Sequence, residues 1–472
     1  MSPVLECDIC VIGAGSGGLS VAVGAAQLGA RTILFEKGEM GGDCLNYGCV
    51  PSKALLAAAH AAQSIADAGQ FGIRVDSSQV NFPAVMAHVH EVIAQIAPHD
   101  SAERLEKLGV RVIHGQAAFT GHDEVSGAGV RVRARRFVIA AGSSAVIPPV
   151  EGIEDVPVLT NETLFSLNER PAHLIIIGGG PIGIEMAQAF RRLGSAVTVV
   201  QRGKLLPQNE PELVGILRER LAAAGIALHE STEFTGVARD GAAVVVRYGS
   251  HGEARGTHLL VAAGRQPRLA GLALERAGIA FSPRGITVDA RLRTTNKRVY
   301  ALGDIIGRPQ FTHTASYQAG ILIRNVLFRV PAKVDYRALP WVTYCDPELA
   351  HVGFTEQQAR ERFGASVQVV KVELSENDRA RTERQLTGRI KVVLDKRGTI
   401  LGAGIVGPHA GELIGLWGLA ITRKLKLSAL TGVIFPYPTL GELSKTVASA
   451  FYAPKLFSAW PKRLVRLLLS LP

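Results

Sequence analysis

Apolar runs alternate with glycine-rich turns and small-residue stretches in the first part of the chain. Residues 7–12 are apolar nearly throughout, which predicts a buried parallel strand. A helix of small residues is predicted to continue from the following glycines to Leu28, and a second strand runs from Arg31 to Phe35. This order of elements predicts a βαβ unit.

The same pattern recurs later in the chain. Leu174–Ile177 is strand-like, a helical stretch reaches Leu193, and Ala196–Val200 is strand-like again. Three strand-and-turn segments complete the two units: 136–143, 259–267 and 299–304. Two such units predict two dinucleotide sites, or one dinucleotide site and an inherited fold.

Beyond Pro331 the pattern changes, because no further glycine fingerprint occurs. Strand-like runs precede apolar helical stretches, the former at 367–374, 389–394 and 400–406, the latter at 411–424 and 439–452. This order predicts a third, α+β domain with an apolar face that can meet a second subunit.

The turn of the first unit carries a G-x-G-x-x-G fingerprint at Gly13, Gly15 and Gly18. Glycines at this spacing permit a tight turn and the close approach of a pyrophosphate to the helix N-terminus. The second strand of the unit ends at Glu36, an acid that can accept hydrogen bonds from a ribose. In this context the motif predicts dinucleotide binding rather than a structural turn.

The second unit repeats the glycines at Gly178, Gly180 and Gly183, but its second strand ends in Gln201-Arg202 instead of an acid. A carboxylate would repel a 2′-phosphate, whereas Arg202 can pair with one. The sequence therefore favours NADPH over NADH, with a solvated loop arginine as the alternative reading of Arg202.

Two cysteines separated by four residues, Cys44 and Cys49, follow the first unit, and Lys53 lies one turn downstream. A disulfide between them would close too small a ring to add much stability, which argues against a structural crosslink. Two inert buried thiols are the alternative. Cys7 and Cys10 are expected to be core residues on opposite faces of a strand.

Composition narrows the classes of function. The formal charge of +11 suits anionic cofactors, but no basic-aromatic module predicts nucleic-acid binding. Five cysteines in 472 residues cannot form a disulfide scaffold. Neither a signal peptide nor a membrane span is recognisable, so a cytoplasmic location is expected.

Taken together, these motifs resemble those of the class I pyridine nucleotide–disulfide oxidoreductases, from about Cys7 to Tyr452. The resemblance implies an α/β protein with two Rossmann-like domains and a C-terminal α+β dimerisation domain. It implies FAD on the first fingerprint, a nicotinamide cofactor on the second, and a homodimer. The domains it implies are an FAD domain at 1–150 and 281–335, an NAD(P) domain at 151–280, an interface domain at 336–452 and a tail at 453–472.

The resemblance also assigns residues by motif. Catalytic roles fall on Cys44, Cys49, Lys53, Glu185, Tyr437 and Glu442. FAD is assigned to Gly13, Gly15, Gly18, Glu36, Gly42, Asp43, Lys53, Ala117, Gly142, Asp304 and Thr312. NADPH is assigned to Gly178, Gly180, Gly183, Glu185, Arg202 and Gly264. No metal site is predicted.

The implied activity carries electrons from NADPH through FAD to a Cys44–Cys49 disulfide and on to an electrophilic acceptor. Cys49 would face the flavin and Cys44 would meet the acceptor. Alternatives are a metal-ion reductase of mercuric type, a dihydrolipoamide dehydrogenase, and a flavin redox sensor or electron-input subunit for a membrane partner.

Three departures from the family pattern concern the acceptor. Tyr437 stands where dithiol-specific members carry the acid–base histidine, whereas the glutamate of the same motif is retained as Glu442. A phenol is a poor proton shuttle at neutral pH. Asp43 replaces a usual threonine and should raise the pKa of Cys44 unless it is directed elsewhere. No cysteine follows Cys345, so the terminal pair of mercuric reductases is missing.

The tail reads as a basic amphipathic helix that starts near Pro461. Leu464, Leu467, Leu468 and Leu471 share one face, and Lys462, Arg463 and Arg466 gather on another. Residues 455–472 are expected either to dock on the protein's own dimer or to contact a membrane surface at the inner face.

Overall fold

The computed structural model describes residues 4–471 and divides into two compact units. The first contains the chain up to Arg202 together with Ala227–Val334. The second contains Gly203–Ile226 and the chain from Asp335 onward.

The first βαβ unit forms as the pattern predicts and continues into a cluster of helices and a β-meander. In chain order the elements are β1 (Val4–Ile12), α1 (Ser16–Gln27), β2 (Thr32–Glu36), α2 (Gly42–Asn46), α3 (Cys49–Asp67), α4 (Phe82–Ile96), α5 (Ala102–Lys107), β3 (Val110–His114), β4 (Ala118–Phe119), β5 (Glu124–Gly127), β6 (Val130–Ile139) and β7 (Ser143–Ala145).

The second βαβ unit follows, and the chain then returns to the first sheet. The elements are β8 (Val158–Leu159), α6 (Asn161–Leu164), β9 (His173–Ile177), α7 (Pro181–Arg192), β10 (Ala196–Val200), α8 (Pro211–Ala223), β11 (Ala227–His229), β12 (Phe234–Asp240), β13 (Ala243–Tyr248), β14 (Gly252–Gly256), β15 (His258–Val261), β16 (Arg265–Pro267), β17 (Phe281–Ser282), β18 (Gly285–Ile286), β19 (Val299–Ala301) and α9 (Thr312–Val326).

Two sheets whose central strands are parallel carry the fingerprints, and β4 and β5 extend the first sheet as antiparallel strands. The first has the order β3-β2-β1-β6-β5-β4, with β19 also paired to β6, and the second has the order β11-β10-β9-β15-β8. Their central strands are buried on both faces, as Ile9 and Val11 in β1 and Ile175 and Ile176 in β9 show. Each glycine turn therefore lies at the carboxyl end of a central strand, where ligands of open α/β sheets bind.

The second unit has an antiparallel sheet of order β20-β21-β24-β23-β22, covered by apolar helices around the buried Trp417. Its elements are β20 (Pro340–Thr343), β21 (Glu348–Gly353), α10 (Glu356–Phe363), β22 (Gln368–Glu373), α11 (Asp378–Thr382), β23 (Arg389–Leu394), β24 (Ile400–Gly407), α12 (Ala410–Thr422), α13 (Glu442–Leu456) and α14 (Ala459–Leu469). The α+β prediction for this region is confirmed.

Helix α8 belongs to the same unit although it precedes it in sequence. Lys391 of β23 is 4% exposed and contacts three carboxylates, two of which, Glu210 and Glu212, lie at the start of α8, the third being Glu356. The carboxylates compensate the buried charge of Lys391, and this contact holds α8 against the sheet.

Candidate active site

The glycines of the first fingerprint have two different roles. A Cβ on Gly13 would overlap the carbonyl oxygen of Ala140, and a Cβ on Gly18 would overlap that of Gly13. A Cβ on Gly15 would meet no heavy atom within 4 Å. The outer glycines are therefore required by packing, while the central one faces open space at the N-terminus of α1. Backbone N–H groups in such a place suit a pyrophosphate.

The second fingerprint repeats this division. Cβ atoms on Gly178 and Gly183 would overlap the carbonyl oxygens of Ala262 and Gly178, whereas one on Gly180 would meet nothing within 4 Å. The sequence repeat is thus also a repeat in three dimensions, with a second open cradle at the start of α7.

The residue that ends the second strand differs between the two units. The Glu36 carboxylate accepts a hydrogen bond from Ala14 N at 2.5 Å, and the Gln201 side-chain oxygen accepts one from Gly179 N at 2.8 Å. Gln201 therefore takes the place of the acid with a neutral amide. The next side chain, Arg202, is exposed.

The two cysteines lie on consecutive helices that a glycine holds together. Cys44 is in the short α2, and Cys49 is the first residue of α3. A Cβ on the intervening Gly48 would come within 2.8 Å of Asp43 O and 3.2 Å of the Cys44 Cα. The close approach therefore requires glycine, and it leaves Cys49 at the positive end of a long helix.

The dithiol is polarised, in the sense that its two thiols have shifted pKa values of opposite direction. In this structure both cysteines are thiols, and a hydrogen bond from Cys44 lowers the pKa of Cys49 to about 6, helped by Thr312, 3.5 Å away, and by the charge of Lys53. The same hydrogen bond, with burial, raises the pKa of Cys44. At neutral pH the negative charge therefore resides on Cys49.

An ion pair connects the dithiol helix to the second fingerprint. Lys53 Nζ of α3 donates to Glu185 Oε2 of α7 at 2.7 Å, and the Glu185 side chain is 5% exposed. The family resemblance assigns a catalytic role to each of these two residues. A buried carboxylate of this kind needs its cation, so the pair fixes where the Lys53 charge lies relative to Cys49.

Asp43 is directed away from the cysteine that follows it. Its Oδ1 accepts from Arg265 at 2.9 Å and from Asn161 Nδ2 at 2.9 Å. Arg265 also donates to Ser143 Oγ at 2.8 Å, and Ser143 in turn donates to Asp304 Oδ2 at 2.6 Å. Asp43 is not among the groups that raise the pKa of Cys44.

Sequence reasoning gave no role to Arg265, Ser143 and Asn161. Arg265 belongs to the strand-and-turn segment at 259–267, but nothing in the sequence indicates that its partner is Asp43. Asn161 belongs to a segment with no motif at all. Burial raises the pKa of Asp304, and the Ser143 hydroxyl and the Arg265 charge oppose that shift.

The other assigned cofactor residues are backbone positions. Gly142 and Gly264 have φ values of +72° and +138°, and Cβ atoms on them would meet nothing within 4 Å. Gly42, at φ +59°, packs so that a Cβ would lie 2.8 Å from Gly15 Cα. The Ala117 side chain is buried in the core, so its predicted role for the adenine end rests on its backbone.

Tyr437 and Glu442 lie in the second unit and do not form the histidine–glutamate arrangement of dithiol exchange. The Tyr437 hydroxyl donates to Asp378 Oδ2 at 3.1 Å, which raises the pKa of the phenol, and the ring is 71% exposed. Glu442 accepts from Thr439 N at 3.3 Å. With its pKa raised, the Tyr437 phenol keeps its proton at neutral pH.

The other three cysteines are buried, as expected of core residues. Burial raises the pKa of Cys7 to about 12 and raises that of Cys10 as well. The prediction that these two face opposite sides of the strand is wrong, because both belong to one core cluster. The N–H groups of Asp8 and Ile9 both donate to Arg31 O, and this irregularity offsets the alternation. Within residues 4–471, no three His, Cys, Asp or Glu side chains form a group that could hold a metal ion.

The chain is similar to known proteins in sequence and in fold. Residues 7–319 match the family described as pyridine nucleotide-disulphide oxidoreductase, and residues 339–448 match its dimerisation domain. A mercuric reductase of Streptomyces lividans is 35% identical, with 94% of this chain and 96% of the relative covered. A dihydrolipoyl dehydrogenase of Bacillus subtilis (strain 168) is 32% identical, with 94% and 100% covered.

A similar solved structure is the HOCl-induced flavoprotein disulfide reductase RclA from Escherichia coli. It is 30% identical, has a TM-score of 0.85, and the match covers 94% of this chain and 99% of RclA. The dimerisation domain is that of a homodimer-forming family. By its matched domains, its relatives and its fold, the chain belongs to the class I pyridine nucleotide–disulfide oxidoreductases, a family of FAD-binding flavoproteins with a redox-active disulfide.

Proposed function

We propose that the protein is an NADPH-driven reductase that passes electrons through FAD and the Cys44–Cys49 pair to an electrophilic acceptor. The observation that carries this proposal is the polarised dithiol, in which Cys49 has a pKa of about 6 and Cys44 keeps its proton. Such a division suits one sulfur that stores charge and one that attacks.

The residues present fit the cofactors. The open cradle at Gly15 with Glu36 beside it suits the pyrophosphate and ribose of FAD, and the open cradle at Gly180 suits those of a nicotinamide nucleotide. When bound, FAD supplies a two-electron relay between the nicotinamide and the disulfide. Gln201 and the exposed Arg202 favour a nucleotide with a 2′-phosphate.

The dithiol can manage its own proton. Reduction of the disulfide by two electrons, with uptake of one proton, gives a Cys49 thiolate hydrogen-bonded to a Cys44 thiol. When Cys44 attacks an acceptor disulfide, its proton can pass along this hydrogen bond to Cys49, and one acceptor thiolate leaves. Cys49 then loses that proton, displaces the second acceptor thiolate and restores the Cys44–Cys49 disulfide. An acid–base group in the place of Tyr437 is not needed for the attack.

A soft metal ion is the second candidate acceptor. Mercuric reductase is the name of several relatives at 32–35% identity, and RclA has been solved as a Cu(II) complex. Two neighbouring sulfurs are suitable ligands for such ions. In this proposal Cys44 and Cys49 would bind the ion themselves.

An anaerobic titration with NADPH tests the shared electron path. The wild-type protein with FAD should take up two electron pairs per subunit, and Cys44→Ser and Cys49→Ser should each take up one. Uptake of one pair by the wild type would refute the coupling of flavin and dithiol. Steady NADPH oxidation with Hg(II), Cu(II) or disulfides then identifies the acceptor class, and reduction without turnover would indicate a sensor instead.

A further inference from the structure

The last helix of the chain, α14, buries none of its residues against the rest of the subunit. It lies beyond residue 448, where the match to the family's dimerisation domain ends. The exposed apolar side chains in and around it are Leu456, Phe457, Trp460, Leu464, Val465, Leu467, Leu468, Leu469 and Leu471, with exposed fractions from 38% to 80%. Soluble surfaces rarely expose such a continuous set.

The apolar and the basic side chains of the helix lie on different sides of its axis. At 100° per residue, Trp460, Leu464, Leu467 and Leu468 fall on one side, and Leu471 continues that side beyond the helix. The three basic residues Lys462, Arg463 and Arg466 fall together on the other side. Val465 and Leu469 widen the apolar side, so the helix is apolar over about 200° of its circumference and carries its cations on the remaining strip.

The charged residues of the last thirty positions in the sequence all have one sign. No aspartate or glutamate follows Glu442, whereas Lys445, Lys455, Lys462, Arg463 and Arg466 do. A partner for this surface must therefore offer an apolar layer bordered by negative charge. A bilayer with anionic headgroups has this composition, whereas a second copy of α14 would present the same positive charges.

We propose that α14 is a peripheral anchor that lies in the interface of an anionic phospholipid membrane. Its apolar face would enter the acyl boundary and its basic face would meet the phosphates. An eleven-residue helix is too short to cross a bilayer, and within residues 4–471 no helix is both long and apolar enough to do so. The anchor is independent of the proposed reductase activity.

The test uses the FAD-loaded full-length protein and co-sedimentation with vesicles. The probes are phosphatidylcholine alone and phosphatidylcholine with about one third phosphatidylglycerol. We expect clear binding to the anionic vesicles and weak binding to the neutral ones. Replacing Lys462, Arg463 and Arg466 by Gln should lower the partition coefficient about 100-fold, at about fivefold per charge. Leu467→Asp with Leu468→Asp should abolish binding.

Matched controls change exposed residues outside the tail. Arg74→Gln, Lys396→Gln and Lys426→Gln remove the same charge, and Leu28→Asp adds an acid at an apolar position that is 53% exposed. These variants should bind vesicles like the wild type. Equal loss in the control triple, or no wild-type binding to anionic vesicles, would overturn the anchor. Removal of residues 459–472 provides a further test. If this deletion converted dimers to monomers and left vesicle binding unchanged, the helix would belong to the dimer interface and the anchor would be overturned.

Discussion

Arg265 lies 2.9 Å from Asp43, the residue immediately before the first cysteine of the dithiol, and its side chain is 14% exposed. The same guanidinium holds Ser143, which donates to Asp304. Asp43, the acid beside the reactive thiol, is therefore one end of a hydrogen-bond network that extends to Asp304, one of the residues assigned to FAD. This network gives Asp43 a positioning role rather than a role in the chemistry of Cys44.

Asp43→Asn should destabilise the protein by about 2 kcal/mol, because it leaves a largely buried guanidinium with a weaker partner. It should also loosen FAD, measured by the fraction of flavin released during dilution. Asp8→Asn is the control, since Asp8 pairs with Arg31, which is 64% exposed, and such a pair contributes less than about 1 kcal/mol. Equal shifts in the unfolding midpoint of both variants would contradict the role of Asp43.

Cys44→Ala should raise the pKa of Cys49 from about 6 toward its ordinary value, because the hydrogen bond from Cys44 is the largest cause of the shift. Cys44→Ser should keep the pKa low, since a hydroxyl can still donate. Thiolate absorbance and the rate of alkylation against pH measure both. An unchanged titration in Cys44→Ala would show that the helix N-terminus and Lys53 suffice.

The same shift predicts a pH dependence of stability in the reduced protein. The folded pKa of Cys49 lies below the ordinary value of 9.0, so this group stabilises the folded state above pH 9. Its contribution is lost progressively as the pH falls from 9 to about 6. The difference in unfolding free energy between wild type and Cys49→Ser should therefore shrink over this range.

Tyr437→His should increase turnover with dihydrolipoamide by about 100-fold or more, since it supplies an acid–base group that titrates near neutral pH. Tyr437→Phe should leave turnover with the native acceptor class nearly unchanged, because the phenol keeps its proton and bonds to Asp378. Steady-state kinetics of the two variants decide the matter. A large loss in Tyr437→Phe would mean that the hydroxyl contacts the acceptor.

Lys53→Met should destabilise the protein by about 2 kcal/mol, because it removes the cation 2.7 Å from a buried carboxylate. The double variant Lys53→Met with Glu185→Gln should lose less unfolding free energy than the sum of the losses in the two single variants. A double-mutant cycle in denaturant measures this coupling. Strict additivity would indicate that the pair contributes little to the packing of α3 on α7.

Gln201→Glu should reduce kcat/KM with NADPH by at least about tenfold while NADH is affected less, since a carboxylate there repels a 2′-phosphate. Arg202→Gln should likewise reduce kcat/KM with NADPH more than kcat/KM with NADH. Arg239→Gln, at an exposed position of β12, is the control. A wild-type preference for NADH would contradict the proposal that Gln201 and Arg202 select a nucleotide with a 2′-phosphate.

The sequence by itself determined the βαβ units, the position of both glycine fingerprints, the dithiol at the start of a helix and the amphipathic tail. Each is encoded locally, by residues within one or two helical turns or one strand, so periodicity and spacing reveal it. The tail begins as a helix at Ala459, two residues before the predicted Pro461.

The tertiary structure alone decided which charges meet. Asp43 could raise the pKa of its neighbour or turn away, and the choice depends on Arg265 and Asn161, which lie far along the chain. The hydrogen bond from Tyr437 to Asp378 is likewise a contact between segments that are distant in the chain. Electrostatic environments depend on distances of a few ångströms between such segments, and linear spacing carries no information about them.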